Sequence, residues 1–320
     1  MPDRTTHTDP ARRSEPVPRR APRFSPRPGP DTASRSVLVT GCSTGIGRAT
    51  AHRLATRGWT VYATARKLDA IADLAASGCR LLQLDVCDEE SMRHAVATVE
   101  QESGAVGVLV NNAGYGLEGA IEELAPRELR RQFETNLFGP TRLTQLALGG
   151  MRRQRWGKIV NVSSVGGRIT IPGGAAYHAS KHALEAMSDS LRFEVRAFGI
   201  DVVVVEPGAI RTRWVETAVS MLRDDHGADN PYAAFDEAVA ARLRSAHEGL
   251  LRFAATGPDA VARVVEHAIS ARRPRTRYPV PLAARFFITS RRLLPDRAWD
   301  AFLRRLLPSP GASHSTRNDA

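Results

Sequence analysis

The sequence predicts an α/β protein built on a doubly wound parallel sheet, as a single domain with a C-terminal helical extension. From residue 36 onward, short apolar runs alternate with stretches that have helical periodicity. Most of these runs are almost continuously apolar, which is typical of parallel strands buried on both faces. No internal repeat of the solenoid type is present. These observations together favour one sheet with helices on both sides.

Each predicted element has its own local signal. Short runs rich in β-branched residues mark the strands. Gly58 closes the first helix and Asp88 caps a later one, because glycine ends helices and aspartate accepts hydrogen bonds from their first N–H groups. The predicted strands cover residues 36–41, 60–66, 80–86, 107–114, 158–164 and 201–208. The predicted helices cover residues 45–58, 68–78, 88–104, 126–148 and 175–199.

The two ends of the chain differ from this body, which spans residues 35–280. Residues 1–34 are rich in proline, arginine and serine and are expected to be a disordered tail. The net charge of +11 comes from the ends, since residues 1–35 carry +4 and residues 271–320 carry +8. A nucleic-acid-binding protein would carry its basic face on the folded body. We therefore expect no nucleic-acid partner.

Membrane-spanning and metal-binding classes are disfavoured as well. No run of eighteen apolar residues exists, and the polar N-terminus lacks the apolar core of a secretory signal. Cys42, Cys79 and Cys87 show no metal-binding spacing and suit a reducing compartment. The expectation is a cytoplasmic protein without a metal site.

A glycine-rich turn follows the first predicted strand, in the order Thr40-Gly41-Cys42-Ser43-Thr44-Gly45-Ile46-Gly47. Glycines there permit a tight turn and a close backbone approach to a pyrophosphate, and the next helix presents a positive N-terminus to that anion. Glycines between a strand and a helix also serve packing alone. The strand-turn-helix-strand context favours a Rossmann-type dinucleotide site.

The spacing G-x3-G-x-G resembles that of the short-chain dehydrogenase/reductase family, and further marks of the family follow in order. They are Asn111-Asn112-Ala113-Gly114, Asn136, Ser164, Tyr177-His178-Ala179-Ser180-Lys181 and Pro207-Gly208 followed by Thr212. The resemblance covers about residues 36–272. The segments TGCSTGIG, VYATARK and NNAGYGLEGAIEEL are similar to the hydroxysteroid and retinol dehydrogenase-like subgroup.

The pair Tyr177 and Lys181 carries the expected chemistry. Residues four apart on a helix lie on one face. A phenol has a reference pKa of about 10, and an adjacent ammonium lowers it. Tyr177 would then donate a proton to a carbonyl oxygen during reduction or accept one during oxidation. The alternative is a surface tyrosine near a surface lysine.

The resemblance implies roles for other residues. Ser164 would hydrogen-bond the substrate oxygen, with Ser163 as a competitor, and Asn136 would help hold a water that links Lys181 to solvent. Asp85 would contact the adenine amine and Thr212 the carboxamide. The implied cofactor-binding set is Gly41, Ser43, Gly45, Ile46, Gly47, Arg66, Asp85, Val86, Asn112, Ala113, Gly114, Tyr177, Lys181, Pro207, Gly208 and Thr212.

The end of the second strand indicates which nucleotide is used. Similar NAD enzymes place an acid there to bond the ribose 2′-hydroxyl. Here Ala65 takes that position and Arg66 follows it. A guanidinium would bind the 2′-phosphate of NADP(H), although a solvated arginine is the alternative.

The substrate side is apolar. Residues 213–255 would form a lid, as in similar proteins, with a mobile loop at 224–230, and Ile169–Pro172 would form another wall. A hydrophobic alcohol, ketone or aldehyde is expected, in a homodimer or homotetramer. A catalytically idle NADP-binding regulator stays open, and an epimerase or dehydratase is disfavoured by the glycine spacing.

Residues 281–320 form the predicted C-terminal helix and tail. Trp299, Phe302, Leu303 and Leu306 follow one helical face, Pro295 would start that helix, and a second apolar cluster lies at 286–288. The apolar face either packs on protein or contacts an anionic membrane peripherally, which would make this a membrane-surface protein.

Overall fold

The computed structural model describes residues 33–222, 230–245, 256–305 and 307, and it confirms the predicted α/β class. Its strands are β1 (Ser36–Val39), β2 (Thr60–Ala65), β3 (Arg80–Gln83), β4 (Val108–Asn111), β5 (Gly157–Val162), β6 (Ile200–Pro207) and β7 (Arg277–Val280). They form one seven-stranded sheet in the order β3-β2-β1-β4-β5-β6-β7. Every neighbouring pair is parallel.

The helices connect the strands and cover both faces. They are α1 (Gly45–Thr56), α2 (Glu89–Ser103), α3 (Pro126–Phe133), α4 (Gly139–Arg153), α5 (Ala175–Val195), α6 (Trp214–Val219), α7 (Ala233–Ser245), α8 (Pro258–Ser270), α9 (Leu282–Leu293) and α10 (Asp296–Leu303). None of the helices in the described ranges combines the length and the apolar character needed to cross a membrane.

Two apolar cores hold the layers together. On β1, Val37 and Val39 point into a core shared with α1 and α8, whereas Leu38 points into the core shared with α2, α4 and α5. All three side chains are fully buried. This alternation follows from the two-residue period of a strand, and burial on both faces explains the continuous apolar runs.

The local signals for helix ends are confirmed. The Asp88 carboxylate accepts from the N–H groups of Glu90 at 3.0 Å and Ser91 at 3.4 Å at the start of α2. Gly58 has a φ of +82° just beyond α1, a backbone conformation that glycine adopts without strain. Pro295 immediately precedes α10, as predicted.

Other elements differ from the expectation. The seventh strand, β7, was not predicted, because it is short and contains Pro279, which a sheet tolerates on an edge strand. The predicted helix at 126–148 is interrupted by a π-helical turn at Glu134–Phe138. A side chain at Gly139 would collide with the Val86 carbonyl, so close packing accompanies that turn. The predicted helix at 68–78 is a 3-10 helix, Leu68–Ser77.

The C-terminal extension contains two helices, α9 and α10, instead of one. Trp299 is buried, and Phe302 and Leu303 are half-buried, so the apolar face of α10 packs on the protein. Leu306, the last residue assigned to that face, lies outside the described residues.

Two predicted segments fall mainly or partly outside the described residues. Of the tail at 1–34, the structure describes Ala33 and Ser34, and the Ser34 hydroxyl donates to the Ala105 carbonyl at 2.8 Å. Of the lid at 213–255, it describes 213–222 and 230–245. There α6 and α7 share a small apolar cluster that includes Leu222, Phe235 and Val239.

An ion-pair network anchors β7 to the sheet. Arg277 of β7 donates to Glu185 at 2.9 Å and to Asp189 at 2.7 Å on α5, and its Nε lies 3.4 Å from Glu206 of β6. Burial, and to a smaller extent the Glu185 charge, raise the pKa of Glu206 to about 7. Arg277 therefore compensates two buried carboxylates at the edge of the sheet.

We predict that Arg277→Met lowers the free energy of unfolding by about 2 kcal/mol, less than the roughly 3–5 kcal/mol typical of fully buried pairs, because Arg277 is partly exposed. A carboxyl with a raised pKa stabilises the fold below its unfolded pKa and loses that contribution as the pH rises through about 7. The deficit of Arg277→Met should therefore be larger near pH ~8 than near pH ~6.

Urea unfolding of Arg277→Met, with Arg277→Lys and the exposed neighbour Arg275→Met as controls, measures this effect. Arg277→Lys should retain most of the stability, and Arg275→Met nearly all of it. Equal deficits for Arg277→Met and Arg275→Met would contradict the assigned role.

Candidate active site

The glycine-rich turn joins β1 to α1 at the carboxyl edge of the sheet. Gly41 has a φ of +71°, and a Cβ on it would lie 2.9 Å from the Ala113 Cα. A Cβ on Gly47 would collide with the Gly41 carbonyl and the Asn112 amide. Both positions therefore require glycine, the first for its conformation and the second for its close packing.

The same turn is tied to the end of β4. The Asn112 side-chain amide donates to the carbonyls of Thr40 at 2.8 Å and Gly41 at 3.1 Å. In return, the Thr40 hydroxyl accepts from the backbone N–H groups of Asn112 and Ala113, both at 2.9 Å. These four bonds fix the two loops relative to each other.

The start of α1 has the properties of an anion site. Its first turn contains no acidic residue, and the side chain of Thr44 does not cap it. The N–H groups of the first helical turn have no partners within the helix, and the helix dipole favours negative charge there. The residues present thus fit the pyrophosphate of a dinucleotide, with glycine backbone able to approach it closely.

Tyr177 and Lys181 lie on α5, beside this turn. The Tyr177 ring packs against Trp214, with centroids 5.1 Å apart, and the Lys181 ammonium lies 5.9 Å from the centroid of the Tyr177 ring. Lys181 is buried and donates to the Val162 carbonyl at 2.8 Å. Residues four apart on one helix therefore face the same space, as predicted.

The electrostatics of this pair differ from the expectation. Burial raises the pKa of Tyr177 to about 12, against a smaller lowering by the hydrogen bond with Ser164. Burial also lowers the pKa of Lys181 to about 8. The expected lowering of the Tyr177 pKa by Lys181 is not found, because the enclosure of the phenol sets the direction of the shift. At neutral pH the phenol carries its proton.

Ser164 follows β5 and is the serine that hydrogen-bonds Tyr177. Its hydroxyl also accepts from the Gly166 N–H at 3.0 Å and contacts the Pro207 carbonyl at 3.3 Å. Ser163 is buried, and its hydroxyl points toward Gly167, where a Cβ would lie 2.7 Å away. The geometry thus separates the two candidate serines.

Asn136 lies in the π-helical turn and is fully buried. Its amide donates to the Tyr115 carbonyl at 2.9 Å and to the Ser180 hydroxyl at 3.1 Å, while its oxygen accepts from the Tyr115 N–H at 3.2 Å. A Cβ on Gly114 would lie 3.0 Å from the Asn136 oxygen and 3.6 Å from the Lys181 ammonium. Asn136 and Lys181 therefore face the same glycine.

A cavity of about 1450 Å³ opens at this edge of the sheet. Arg66, at the end of β2, is exposed and lines it, and the Asp85 carboxylate accepts from the Cys87 N–H at 2.9 Å. Two of the predicted residues, Gly47 and Asn136, do not line the cavity. The other predicted residues line it directly, namely Gly41, Ser43, Gly45, Ile46, Arg66, Asp85, Val86, Asn112, Ala113, Gly114, Ser164, Tyr177, Lys181, Pro207, Gly208 and Thr212.

Several cavity-lining residues were not predicted. Glu118, His178 and Arg242 line it, and α9 and α10 contribute Phe287 and Phe302. His178 directly follows Tyr177, so its position in the motif is a signal that could have been used. Arg242 lies far along the chain on α7, and no sequence spacing indicates it.

Comparisons with known proteins agree with the observed fold. A family model described as short chain dehydrogenase matches residues 35–223. Uncharacterized oxidoreductase YbbO of Escherichia coli (strain K12) is 37% identical over 270 residues, covering 84% of this chain and 94% of that protein. Retinol dehydrogenase 5 of Homo sapiens is 36% identical over 287 residues, covering 86% and 89%. A solved short-chain dehydrogenase from Streptomyces avermitilis is 36% identical with a TM-score of 0.70, covering 85% of this chain and 96% of that one.

Proposed function

The chain belongs to the short-chain dehydrogenase/reductase family of oxidoreductases, and from that membership we propose that it interconverts a hydrophobic alcohol and its ketone or aldehyde with NADP(H). The observation that carries the proposal is the convergence of Tyr177, Ser164 and Lys181 beside the glycine-rich turn in one cavity. The nucleotide, when bound, supplies or accepts the hydride.

Three side chains have separate roles in the proposed reaction. Ser164 orients the substrate oxygen toward Tyr177, with which it is already hydrogen-bonded. Because the pKa of Tyr177 lies well above neutrality, its phenol starts protonated and donates to the carbonyl oxygen during reduction. Lys181, held by the Val162 carbonyl, places a positive charge near the phenolate that forms.

Apolar walls support a hydrophobic substrate. Ile169 and Ile171 line the cavity as predicted, together with Trp214, Val215 and Met221 on and beside α6. These side chains favour apolar groups over a sugar, since an apolar wall leaves hydroxyl groups unpaired. One relative is a retinol dehydrogenase by name, which supports placement in the hydroxysteroid and retinol dehydrogenase-like subgroup.

The preference for NADP(H) is supported by the end of β2. Ala65 is buried at the last position of the strand, and the exposed Arg66 extends from it into the cavity. With no carboxylate at Ala65 to receive a ribose 2′-hydroxyl, a 2′-phosphate is the better partner for the guanidinium.

A peripheral membrane contact through α9 is the second part of the proposal. Leu282, Phe286 and Leu293 lie on one face of α9 and are 81%, 70% and 77% exposed. Arg285 and Arg292 are exposed beside them. An apolar stripe bordered by arginines suits an anionic lipid surface. Phe287 of the same helix lines the cavity, so a lipid-soluble substrate would enter near the membrane.

Replacing Tyr177 tests the catalytic assignment. Tyr177→Phe should lower kcat by about 10²–10⁴, because only the transferable proton is lost. Binding of NADPH, followed by fluorescence titration, should stay nearly unchanged. Tyr115→Phe, which alters a second tyrosine of the same cavity, is the control. Turnover of Tyr177→Phe within a few-fold of the parent would contradict the catalytic assignment. A parent protein that is inactive on a broad panel of ketones and alcohols would favour the alternative of a catalytically idle NADP-binding regulator.

Replacing Arg66 tests the cofactor preference. A charge-assisted hydrogen bond is worth roughly 1.5–3 kcal/mol, and exposure places Arg66 at the low end. Arg66→Ala should therefore lower kcat/KM for NADPH by about tenfold and leave that for NADH nearly unchanged. Lys67→Ala, altering the exposed neighbouring residue, is the matched control in steady-state kinetics. Equal kcat/KM values of the parent for the two cofactors would mean that Arg66 points to solvent.

Replacing the exposed face of α9 tests the membrane contact. The protein should cosediment with phosphatidylglycerol vesicles in low salt, and a Leu282→Ser, Phe286→Ser, Leu293→Ser variant should lose most of this binding. Phosphatidylcholine vesicles are the control for charge. Protein that stays in solution with both vesicles argues against the contact. A dimer that the triple variant disrupts would assign the face to a second copy instead.

A further inference from the structure

Three ionisable side chains meet on one side of the cavity. Glu118 lies in the loop that follows β4, His178 lies on α5, and Arg242 lies on α7. The Glu118 Oε2 is 3.9 Å from the Arg242 Nη2. A Cβ on Gly174 would lie 3.1 Å from that same oxygen and 2.7 Å from the His178 Cε1. The space in front of Glu118 and His178 is therefore kept open by a glycine.

Glu118 and Arg242 are incompletely satisfied. Glu118 is 3% exposed, yet its Oε2 has no hydrogen-bond partner among the described residues. The Arg242 Nε is also buried without a partner in that part of the chain. The distance between the Glu118 Oε2 and the Arg242 Nη2 is too long for a hydrogen bond, so the Glu118 oxygen and the Arg242 Nε both stay unused within the described residues. Buried polar atoms are almost always paired, which points to a partner that enters the cavity.

This pair lies close to the reacting end of the site. The His178 ring lies 5.7 Å from the Tyr177 ring, centroid to centroid, and the Glu118 charge contributes to the raised pKa of Tyr177. Glu118, Arg242, His178 and Tyr177 all line the same cavity. A group bound between Glu118 and Arg242 would therefore sit on a part of the substrate near the carbon that reacts.

Charge decides what that group can be. The pair is close to neutral above pH 7, since burial raises the pKa of Glu118 to about 7. His178 adds no charge there, because burial lowers its pKa to about 4. An ammonium or a carboxylate would each add an uncompensated charge to this nearly neutral, buried pair, which costs free energy. A hydroxyl can donate to the Glu118 Oε2 and accept from the Arg242 guanidinium at once, because the Oε2 and the Nη2 lie 3.9 Å apart.

We propose that Glu118 and Arg242 bind a hydroxyl carried close to the reacting carbon, so that the preferred substrate is a hydroxylated ketone or diol with an otherwise apolar body. This inference rests on the proposed oxidoreductase function. Glu118 and Arg242 thus determine substrate specificity by binding the hydroxyl, while Tyr177 and Ser164 bind the carbonyl oxygen.

A matched series of aryl ketones tests the inference at about pH 8, where Glu118 is mostly ionised. Beside its carbonyl, acetophenone has neither a hydrogen-bond donor nor an acceptor, and 2-methoxyacetophenone has only an acceptor. The hydroxyl of 2-hydroxyacetophenone is both a donor and an acceptor, and benzoylformate carries a carboxylate. The measured quantity is kcat/KM of each ketone relative to acetophenone, in the parent and in the Glu118→Leu, Arg242→Met double variant. Intrinsic reactivity cancels in that comparison.

The hydroxyl preference should fall by about tenfold in the double variant, the effect of losing hydrogen bonds to charged partners. Glu118→Gln, which keeps a donor and an acceptor, should retain most of it. Removing both charges avoids leaving one buried charge unpaired, and circular dichroism with NADPH titration verifies that the variant folds. An unchanged hydroxyl preference, or a preference of the parent for benzoylformate over 2-hydroxyacetophenone, would overturn the inference.

A parent that reduces acetophenone without any hydroxyl effect refutes only the inference. If the parent reduces none of the ketones, the proposed function fails, and binding then tests the pair on its own. With NADP present, 1-phenyl-1,2-ethanediol should raise the melting temperature more than 1-phenylethanol does, and the double variant should lose the difference. Equal shifts for the two alcohols in the parent would reject the site.

Discussion

The whole site depends on the close approach between the ends of β1 and β4. Four hydrogen bonds between Thr40 or Gly41 and Asn112 or Ala113 lock the two loops together. That approach leaves no room for a side chain at Gly47 and little at Gly41. The neighbouring strands β1 and β4 are where the strand order reverses, and such switch points open a crevice at the carboxyl edge. The glycine requirement and the position of the cavity thus share one cause.

Burial at this edge shapes the acid-base chemistry more than proximity does. The spacing of Tyr177 and Lys181 predicts that they share a helix face, but it does not predict how far each is withdrawn from water. Withdrawal disfavours the charged form of either group, so the pKa of Tyr177 rises and that of Lys181 falls. The two shifts place a neutral phenol beside an ammonium that releases its proton more readily than a lysine in water does.

The sequence predicts whatever is encoded by short spacings. The sheet class follows from continuous apolar runs, and the glycine turn and the shared helix face of Tyr177 and Lys181 follow from short motifs that fold locally. Ser164 is singled out only through the resemblance to a family. The strand β7 escapes prediction because it is short and contains Pro279, which a sheet tolerates only on an edge strand. Glu118 and Arg242 escape it for a different reason, since their relation exists only after α7 packs over the loop beyond β4.

Trp214, the first residue of α6, couples that helix to Tyr177. Its ring packs on Tyr177, and a side chain on Gly116 would collide with it, so the loop after β4 is shaped to receive the start of α6. The same loop continues to Glu118, while α7 brings Arg242. One side of the cavity is thereby set by strand ends, and the other by α6 and α7, which pack on that loop. Changes in α6 and α7 can therefore reshape that side of the cavity while the glycine-rich turn, Tyr177 and Lys181 keep their places.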